Sequence, residues 1–129
     1  MRIVAILLSA AALFVAGCGG QQPIQNVQNS PIILPPGKTV SMQQVTTAIM
    51  RAGTRLGWQV VPEGPGRLTG RIALRTHMAV VDLEHDTKSY SIKYKDSSNL
   101  GYDGSNIHPN YNGWVQRLDQ GIRAQLSAL

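Results

Sequence analysis

Residue types that nucleophilic catalysis requires occur together in one loop of the sequence. A serine or cysteine nucleophile needs a neighbouring base, and the base needs a third group that orients it. The loop from 96 to 110 offers candidates for these roles: Ser97, Ser98, Asp103, Ser105 and His108. No nucleophile-elbow motif accompanies them, and serine and aspartate are common in any surface loop. A small hydrolase that uses this loop, with Tyr102 and His108 in its site, is therefore the alternative function, and a non-enzymatic role is the leading one.

The three histidines do not predict a metal site. His77 and His85 lie at the two ends of one predicted strand, which places them about 26 Å apart at ~3.3 Å per residue. His108 is expected to approach His77, because the fourth predicted strand ends near the start of the third. Zinc requires three or four nitrogen, oxygen or sulfur ligands, and two histidines do not supply them. We expect no metal and no other cofactor.

The N-terminus has the layout of a secretory signal peptide. Arg2 precedes an apolar run that extends from 3 to 15, and the small residues Ala16 and Gly17 precede Cys18. A charged start, a short apolar segment and small residues at the end are typical of such signals. The run is shorter than the about 20 apolar residues that cross a membrane. We therefore expect residues 1–17 to be cleaved as a signal peptide.

The sequence Val15-Ala16-Gly17-Cys18 resembles the lipobox of bacterial lipoproteins, although Val15 stands where that box usually has leucine. The resemblance implies that the Cys18 thiol receives a diacylglyceryl group and that the new amine is acylated. Cys18 is the only cysteine, whereas small secreted domains more often carry an even number for disulfides. Gly19, in place of the aspartate that signals inner-membrane retention, implies the periplasmic side of the outer membrane. The lipid bilayer is thus one expected partner.

Composition separates a tether from a folded part. Residues 18–39 are rich in glutamine, asparagine and proline and carry few charges, so we expect the lipidated cysteine and a flexible tether there. Within them, residues 32–34 are apolar and flanked by prolines, which is compatible with a sheet edge. Residues 40–129 are predicted to form a single small domain.

The pattern of the folded part predicts an α+β fold. Ser41 and Gln44 have capping-box spacing and begin a helix that ends near Gly57. Gly53 inside that helix indicates close approach by another part of the chain. Four strands with alternating apolar residues follow, and a second helix begins near Pro109. The order α-β-β-β-β-α predicts a two-layer sandwich, in which an antiparallel sheet of about four strands carries both helices on one face.

Alternation along the strands predicts which side chains face the core. The inward set is Leu68, Gly70, Ile72, Leu74, Ala79, Val81, Leu83, Tyr90, Ile92 and Tyr94. Hairpin tips at 76–77 and 86–87 place Ile72 opposite Val81 and Leu83 opposite Tyr90, so that the inward pairs are apolar. The same register places Arg71 opposite Asp82.

The outward face of these strands is predominantly basic. It carries Arg67, Arg71, Arg75, Lys93 and Lys95 against Asp82 and Glu84. Loss of Arg2 with the signal leaves 11 basic and 7 acidic residues, a net charge of +4. This charge favours acidic partners such as lipopolysaccharide, peptidoglycan or an acidic envelope protein, while nucleic acid is not expected in the periplasm. The alternative is that the face is only solvated.

The lipobox, the predicted fold and one C-terminal stretch carry a second resemblance. Ile107-His108, Tyr111-Asn112, Trp114-Val115 and Leu118 resemble a group of small uncharacterised bacterial outer-membrane lipoproteins. The resemblance covers most of the chain and implies a location without an activity. The expected function is therefore that of a membrane-anchored periplasmic lipoprotein, a non-enzymatic binding or adaptor module of the cell envelope.

The lipid anchor is tested at Cys18. The substitution Cys18→Ser removes the thiol that would receive the lipid, so labelling by a fatty-acid analogue should be lost and unprocessed precursor should accumulate. Metabolic labelling and the electrophoretic mobility of the chain measure both effects. Undiminished labelling with normal processing would contradict the lipoprotein interpretation.

Overall fold

A computed structural model describes residues 20–129, so the predicted signal peptide and Cys18 lie outside the described residues. The elements are β1 (Gln22–Pro23), β2 (Val27–Pro31), α1 (Met42–Arg55), β3 (Gln59–Gly64), β4 (Arg67–Leu74), β5 (His77–His85), β6 (Ser89–Ser98), β7 (Asn106–Ile107) and α2 (Pro109–Ser127). Five strands form an antiparallel sheet in the order β2-β6-β5-β4-β3, and β1 pairs with β7 in a small second sheet. The predicted α+β class with an antiparallel sheet is confirmed.

The predicted bounds of α1 are confirmed by its end contacts. The Gln44 backbone N–H donates to Ser41 Oγ at 3.1 Å, and the Ser41 backbone N–H donates to Gln44 Oε1 at 2.9 Å. This reciprocal capping box satisfies two N–H groups that have no partner within the helix. At the other end, Gly57 has a φ of +87°, a conformation that glycine adopts without the Cβ strain of other residues.

One core unites the helices with the sheet. Its buried hydrophobic residues include Val45, Ala48, Ile49 and Ala52 of α1, Leu68, Ala79, Val81, Leu83 and Ile92 of the sheet, and Tyr111, Trp114, Val115, Leu118 and Ile122 of α2. The α2 residues recur at three- and four-residue intervals, as one face of a helix requires. Because α2 begins at Pro109, the stretch from 106 to 118 is a helix entry whose aromatic residues are core residues.

The predicted register of the β4–β5 hairpin is wrong by two residues. Ile72 lies opposite Ala79, and Arg71 lies opposite Val80 and not Asp82. The turn lies one residue earlier than predicted, since Leu74 pairs with His77 and residues 75–76 form its tip. A shift of two residues preserves the alternation, so the buried set is retained. The exception is Leu74, which was predicted to face the core and is 52% exposed at the end of its strand.

The β5–β6 hairpin also departs from its predicted register by two residues, in the opposite direction along the chain. Leu83 lies opposite Ile92, and the last pair before the turn is His85 with Tyr90. The turn between them is organised by Asp86, whose carboxylate accepts the backbone N–H groups of Lys88 at 2.7 Å and Ser89 at 2.8 Å. An aspartate side chain that accepts backbone N–H groups two and three residues further on stabilises the turn in which it lies.

The predicted flexible tether is partly built into the fold. Residues 22–23 and 27–31, predicted to lie in the tether, form β1 and β2. The apolar residues 32–34 had been assigned to a possible sheet edge. Only Ile32 extends the pairing there, through its N–H to the carbonyl of Lys88 at 2.8 Å.

Hydrogen bonds from amide side chains hold the N-terminal segment on the fold. Asn112 is 1% exposed, and its Oδ1 accepts the Gln25 backbone N–H at 3.0 Å. Its Nδ2 donates to the Pro23 carbonyl at 3.0 Å. Gln21 Nε2 donates to the Gly101 carbonyl at 3.1 Å. A segment with little apolar surface is therefore ordered by polar contacts, which composition does not reveal.

The two edge strands of the larger sheet are both irregular. In β2 the register shifts between Val27 and Ser30, where Asn29 has a φ of +50°. In β3 the register shifts between Pro62 and Gly64. Each edge strand also contains a proline, Pro31 or Pro62, which removes one backbone donor from the edge.

Two helix glycines provide a matched test of the packing. A Cβ at Gly53 would collide with Val60 Cγ2, whereas a Cβ at Gly113 would meet only the Arg117 guanidinium, at 3.6 Å or more. We expect Gly53→Ala to lower the free energy of unfolding by about 1–3 kcal/mol through overpacking. Gly113→Ala should raise it by about 0.5–1 kcal/mol because alanine favours the helix.

Chemical denaturation measures both changes. The collision account further predicts that Val60→Ala, introduced together with Gly53→Ala, restores part of the loss. Equal effects of the two glycine substitutions would contradict the close approach at Gly53.

Candidate functional site

The basic strand face is formed by the outward side chains of β4, β5 and β6, and its lysines are neutralised. Lys93 Nζ lies 3.1 Å from Glu84 Oε2, and Lys95 Nζ lies 3.6 Å from Asp82 Oδ1. The predicted register had placed these lysines beside Val80 and Met78. The actual register brings each lysine to a carboxylate, so neither is a free cation for a partner.

Arg71 is the least compensated cation on this face. It is exposed, and its neighbours in register are Gln59 on β3 and Val80 on β5, neither of which is charged. No ion pair of Arg71 occurs within residues 20–129. Its charge therefore remains available to an anionic partner.

Arg67 lies in a setting of mixed charge. It is exposed at the first position of β4 and faces Glu84 in register, although Glu84 forms its ion pair with Lys93. A shallow depression of about 360 Å³ lies here, lined by Glu63, Arg67, Leu68, Thr69, Asp82, Leu83, Glu84 and Lys95. The positive potential at Arg67 is thus lower than that at Arg71.

The prediction that Arg75 projects from the strand face is wrong. The strand ends at Leu74, and Arg75 lies in the hairpin turn with a φ of +56°. This left-handed conformation costs a residue with a Cβ roughly 1–2 kcal/mol relative to the right-handed one. Arg75 is exposed at one end of the sheet, beyond the face that carries Arg67 and Arg71.

The loop residues proposed for catalysis are engaged in local contacts. His108 caps α2, because its Nδ1 accepts the Asn110 backbone N–H at 3.0 Å. The Asp103 carboxylate accepts the backbone N–H groups of Asn106 and Ser105, which hold the pKa of that carboxyl below its ordinary value. Within residues 20–129 no hydrogen bond joins His108 to a loop serine or to Asp103.

His77 approaches His108 as predicted, with 6.0 Å between their ring centroids. His77 Nδ1 donates to the Asn99 carbonyl at 2.7 Å. If a metal bound His108 at Nε2, its Nδ1 would carry a proton and could not accept the Asn110 N–H that caps the helix. In the described part of the chain there is no cluster of three or more histidine, cysteine, aspartate or glutamate side chains that could hold a metal ion.

A cluster of three tyrosines, Tyr94, Tyr102 and Tyr111, underlies the loop. The ring of Tyr94 lies 4.1 Å from that of Tyr102 and 5.6 Å from that of Tyr111, between centroids, and the second pair is edge-to-face. Tyr111 is fully buried and its hydroxyl has no hydrogen-bond partner in the described residues. Burial therefore raises the pKa of Tyr111. Alternation along the strands had predicted that Tyr94 faces the core, but not that it meets Tyr102 and Tyr111.

A second polar cluster, not predicted from the sequence, connects α2 with β6. The Tyr90 hydroxyl donates to the Asp119 carboxylate, and Arg123 Nη2 lies 3.2 Å from Asp119 Oδ2. Burial, followed by the contact with Asp119, raises the pKa of Tyr90. The i, i+4 spacing of Asp119 and Arg123 on a helix was the available signal.

Comparisons with protein-family models, with curated proteins and with solved structures found no match to this chain. Among residues 20–129, no helix is both long and apolar enough to cross a membrane.

The buried hydroxyl of Tyr111 yields a test of the tyrosine cluster. Tyr111→Phe removes an unsatisfied buried donor, so the free energy of unfolding should rise by about 1–3 kcal/mol. Tyr94→Phe is the matched control, since the Tyr94 hydroxyl has a partner in Ser97 Oγ at 2.7 Å. Loss of the hydrogen bond between Tyr94 and Ser97 should lower the free energy of unfolding by about 0.5–1.5 kcal/mol. A loss of stability in Tyr111→Phe would show that the hydroxyl has a partner after all.

Alkaline pH supplies a second measurement on the same variants. Unfolded tyrosine releases its proton near pH ~10, whereas buried Tyr111 retains it. The unfolded state therefore binds fewer protons above that pH, and stability is lost as the pH rises. The loss, followed by denaturation between pH 8 and pH 11 (roughly the window of tyrosine ionisation), should be smaller in Tyr111→Phe than in the wild-type protein.

Proposed function

We propose that the protein is a lipid-anchored binding module of the bacterial cell envelope, and that its basic strand face binds an acidic partner. The observation that carries the proposal is the uncompensated charge of Arg71 beside the partly compensated charge of Arg67. In the proposed arrangement, Cys18 holds the domain at the periplasmic side of the outer membrane. The partner is an envelope protein, peptidoglycan or lipopolysaccharide.

We also infer that both helices cover the same face of the sheet, so that the basic strand face is open. The inward residues Leu68, Val81 and Ile92 are buried in the core that contains the helix residues. The outward residues Arg71 and Asp82 retain solvent contact. Gly121 of α2 also approaches Ala52 and Leu56 of α1, which places the helices side by side. This two-layer arrangement supports the proposal because it leaves the arginines accessible.

Attraction between an exposed arginine and an anionic group supplies specificity and faster association more than it supplies affinity. Two arginines in one strand, four residues apart, are separated by about 13 Å at ~3.3 Å per residue. This spacing suits a partner with repeated negative charges, such as a carboxylate-bearing polymer or a phosphorylated glycolipid, better than a single small anion. The salt bridges of Lys93 and Lys95 limit the binding surface to β4.

Charge substitution on β4 tests the proposal. The variant combines Arg67→Gln with Arg71→Glu, because a glutamate at position 67 would face Glu84 and destabilise the sheet. The control combines Arg51→Gln with Arg117→Glu on the two helices, where both arginines are exposed. The two double variants have the same net charge.

Binding to purified peptidoglycan, to lipopolysaccharide and to envelope proteins captured by crosslinking is measured for the acylated wild-type protein and both variants. We expect the β4 variant to lose binding to one of these partners by roughly tenfold, equivalent to about 1.4 kcal/mol, while the control retains it. The wild-type interaction should also weaken with salt, since screening shortens to ~8 Å at physiological ionic strength. Equal binding by all three proteins would contradict a role for the basic strand face.

A further inference from the structure

The point at which the chain enters the domain is fixed by contacts. Gln22 and Pro23 pair with Ile107 and Asn106, and Gln21 donates a hydrogen bond to the Gly101 carbonyl. The first described residue, Gly20, therefore lies at the end of the fold that carries β7 and the loop from 99 to 105. Cys18 precedes Gly20 by two residues, a length of chain that spans at most about 7 Å. An anchor at Cys18 consequently lies next to this end of the domain.

The same end of the fold exposes the residue types that a membrane interface favours. Leu74 is the last residue of β4, Arg75 lies in the turn that follows it, and Tyr102 lies in the loop beside Gly101. Leu74 is 52% exposed and Tyr102 is 39% exposed, so both can reach a surface beside this end of the domain. A tyrosine ring with an apolar body and a polar hydroxyl suits the headgroup region. An exposed arginine is attracted to anionic lipid.

The hairpin turn and the loop are connected at this end. The Asn99 side chain donates to Thr76 Oγ1 at 2.8 Å, and His77 donates to the Asn99 carbonyl at 2.7 Å. Asp103 is an acid in the same loop, and its carboxylate is turned toward two backbone N–H groups. The turn that contains Arg75 and the loop that contains Tyr102 are thus held together.

We propose that Leu74, Arg75 and Tyr102 form a membrane-docking surface that rests on the headgroup region of an anionic bilayer. The inference rests on the proposed lipid anchor and adds the orientation of the domain. The domain stands with its hairpin-turn end on the membrane because the chain enters the fold at this end, only two residues after Cys18. The basic strand face then rises from the membrane surface instead of lying against it.

The opposite end of the domain provides the competing surface. Ile33 is 81% exposed there, beside an apolar groove of about 310 Å³ that Pro31, Ile32 and Leu126 help to line. The anchor end of α2 contacts the N-terminal segment at Asn112. From Asn112 to Leu126 is fourteen residues of helix, or about 21 Å at ~1.5 Å per residue. The short connection to Cys18 therefore favours the surface at Leu74 and Tyr102.

Single-cysteine labelling of the acylated protein tests this orientation. Leu74→Cys, Tyr102→Cys and Ile33→Cys each add one thiol, which is modified with a nitroxide after purification in detergent. A lipidated Cys18 has no free thiol, so the wild-type protein is the blank. The labelled proteins are reconstituted into vesicles of phosphatidylethanolamine and phosphatidylglycerol. The measured quantity is the collision rate of the nitroxide with a water-soluble nickel chelate.

On transfer from detergent to vesicles, the collision rate should fall at positions 74 and 102, by about threefold or more as the label enters a phase that excludes the polar chelate, and remain unchanged at position 33. Adding Arg75→Glu should reverse part of the fall, whereas adding Arg51→Glu should not. A fall at position 33, or none at positions 74 and 102, would overturn the proposed orientation while leaving the anchor intact. Labelling of the wild-type blank would reveal a free Cys18 and overturn the anchor together with the docking surface.

Discussion

The buried amide of Asn112 is the constraint that makes the N-terminal segment part of the domain. A side-chain amide offers one acceptor and two donors, and burial without partners costs about 1–3 kcal/mol. Its partners here are Gln22, Pro23 and Gln25. The segment therefore satisfies a buried polar group of helix α2, and it continues as β2 along the edge of β6. The position of residues 22–25, the place at which the chain enters and the proposed membrane orientation all depend on this contact.

The faces of the elements were predictable from the sequence, whereas the strand register was not. Capping residues such as Ser41 and the spacing of apolar residues are local signals, and they identified both helices. Alternation has a period of two, so a register shifted by two residues buries the same side chains. The register of β4 against β5 is set in the turn between them, where Arg75 adopts a left-handed conformation. Arginine has no special preference for that conformation, so the sequence carried no signal for a turn one residue earlier.

The register also decides which charges of the candidate site are free. The sequence identified the basic residues of the outward face, but the assumed pairing placed Asp82 against Arg71. In the structure Asp82 forms an ion pair with Lys95, and Glu84 forms one with Lys93. The candidate site therefore consists of Arg71 and of Arg67, where the positive potential is lower. The interaction energy of two charges changes with separations of a few ångströms. The alternation of apolar residues predicts which face a charged side chain lies on, but a register shifted by two residues gives the wrong distances between charges.

The irregular edges of the sheet have a consequence for a protein that we propose to be confined to a surface. Confinement to two dimensions raises the frequency with which copies meet, and exposed strand edges are templates for pairing between chains. Here both edges interrupt such a template. One edge strand, β2, has Pro31 and a shifted register, and the other, β3, has Pro62 and a shifted register. Neighbouring molecules on a crowded bilayer would thus slide past one another without joining their sheets into fibres.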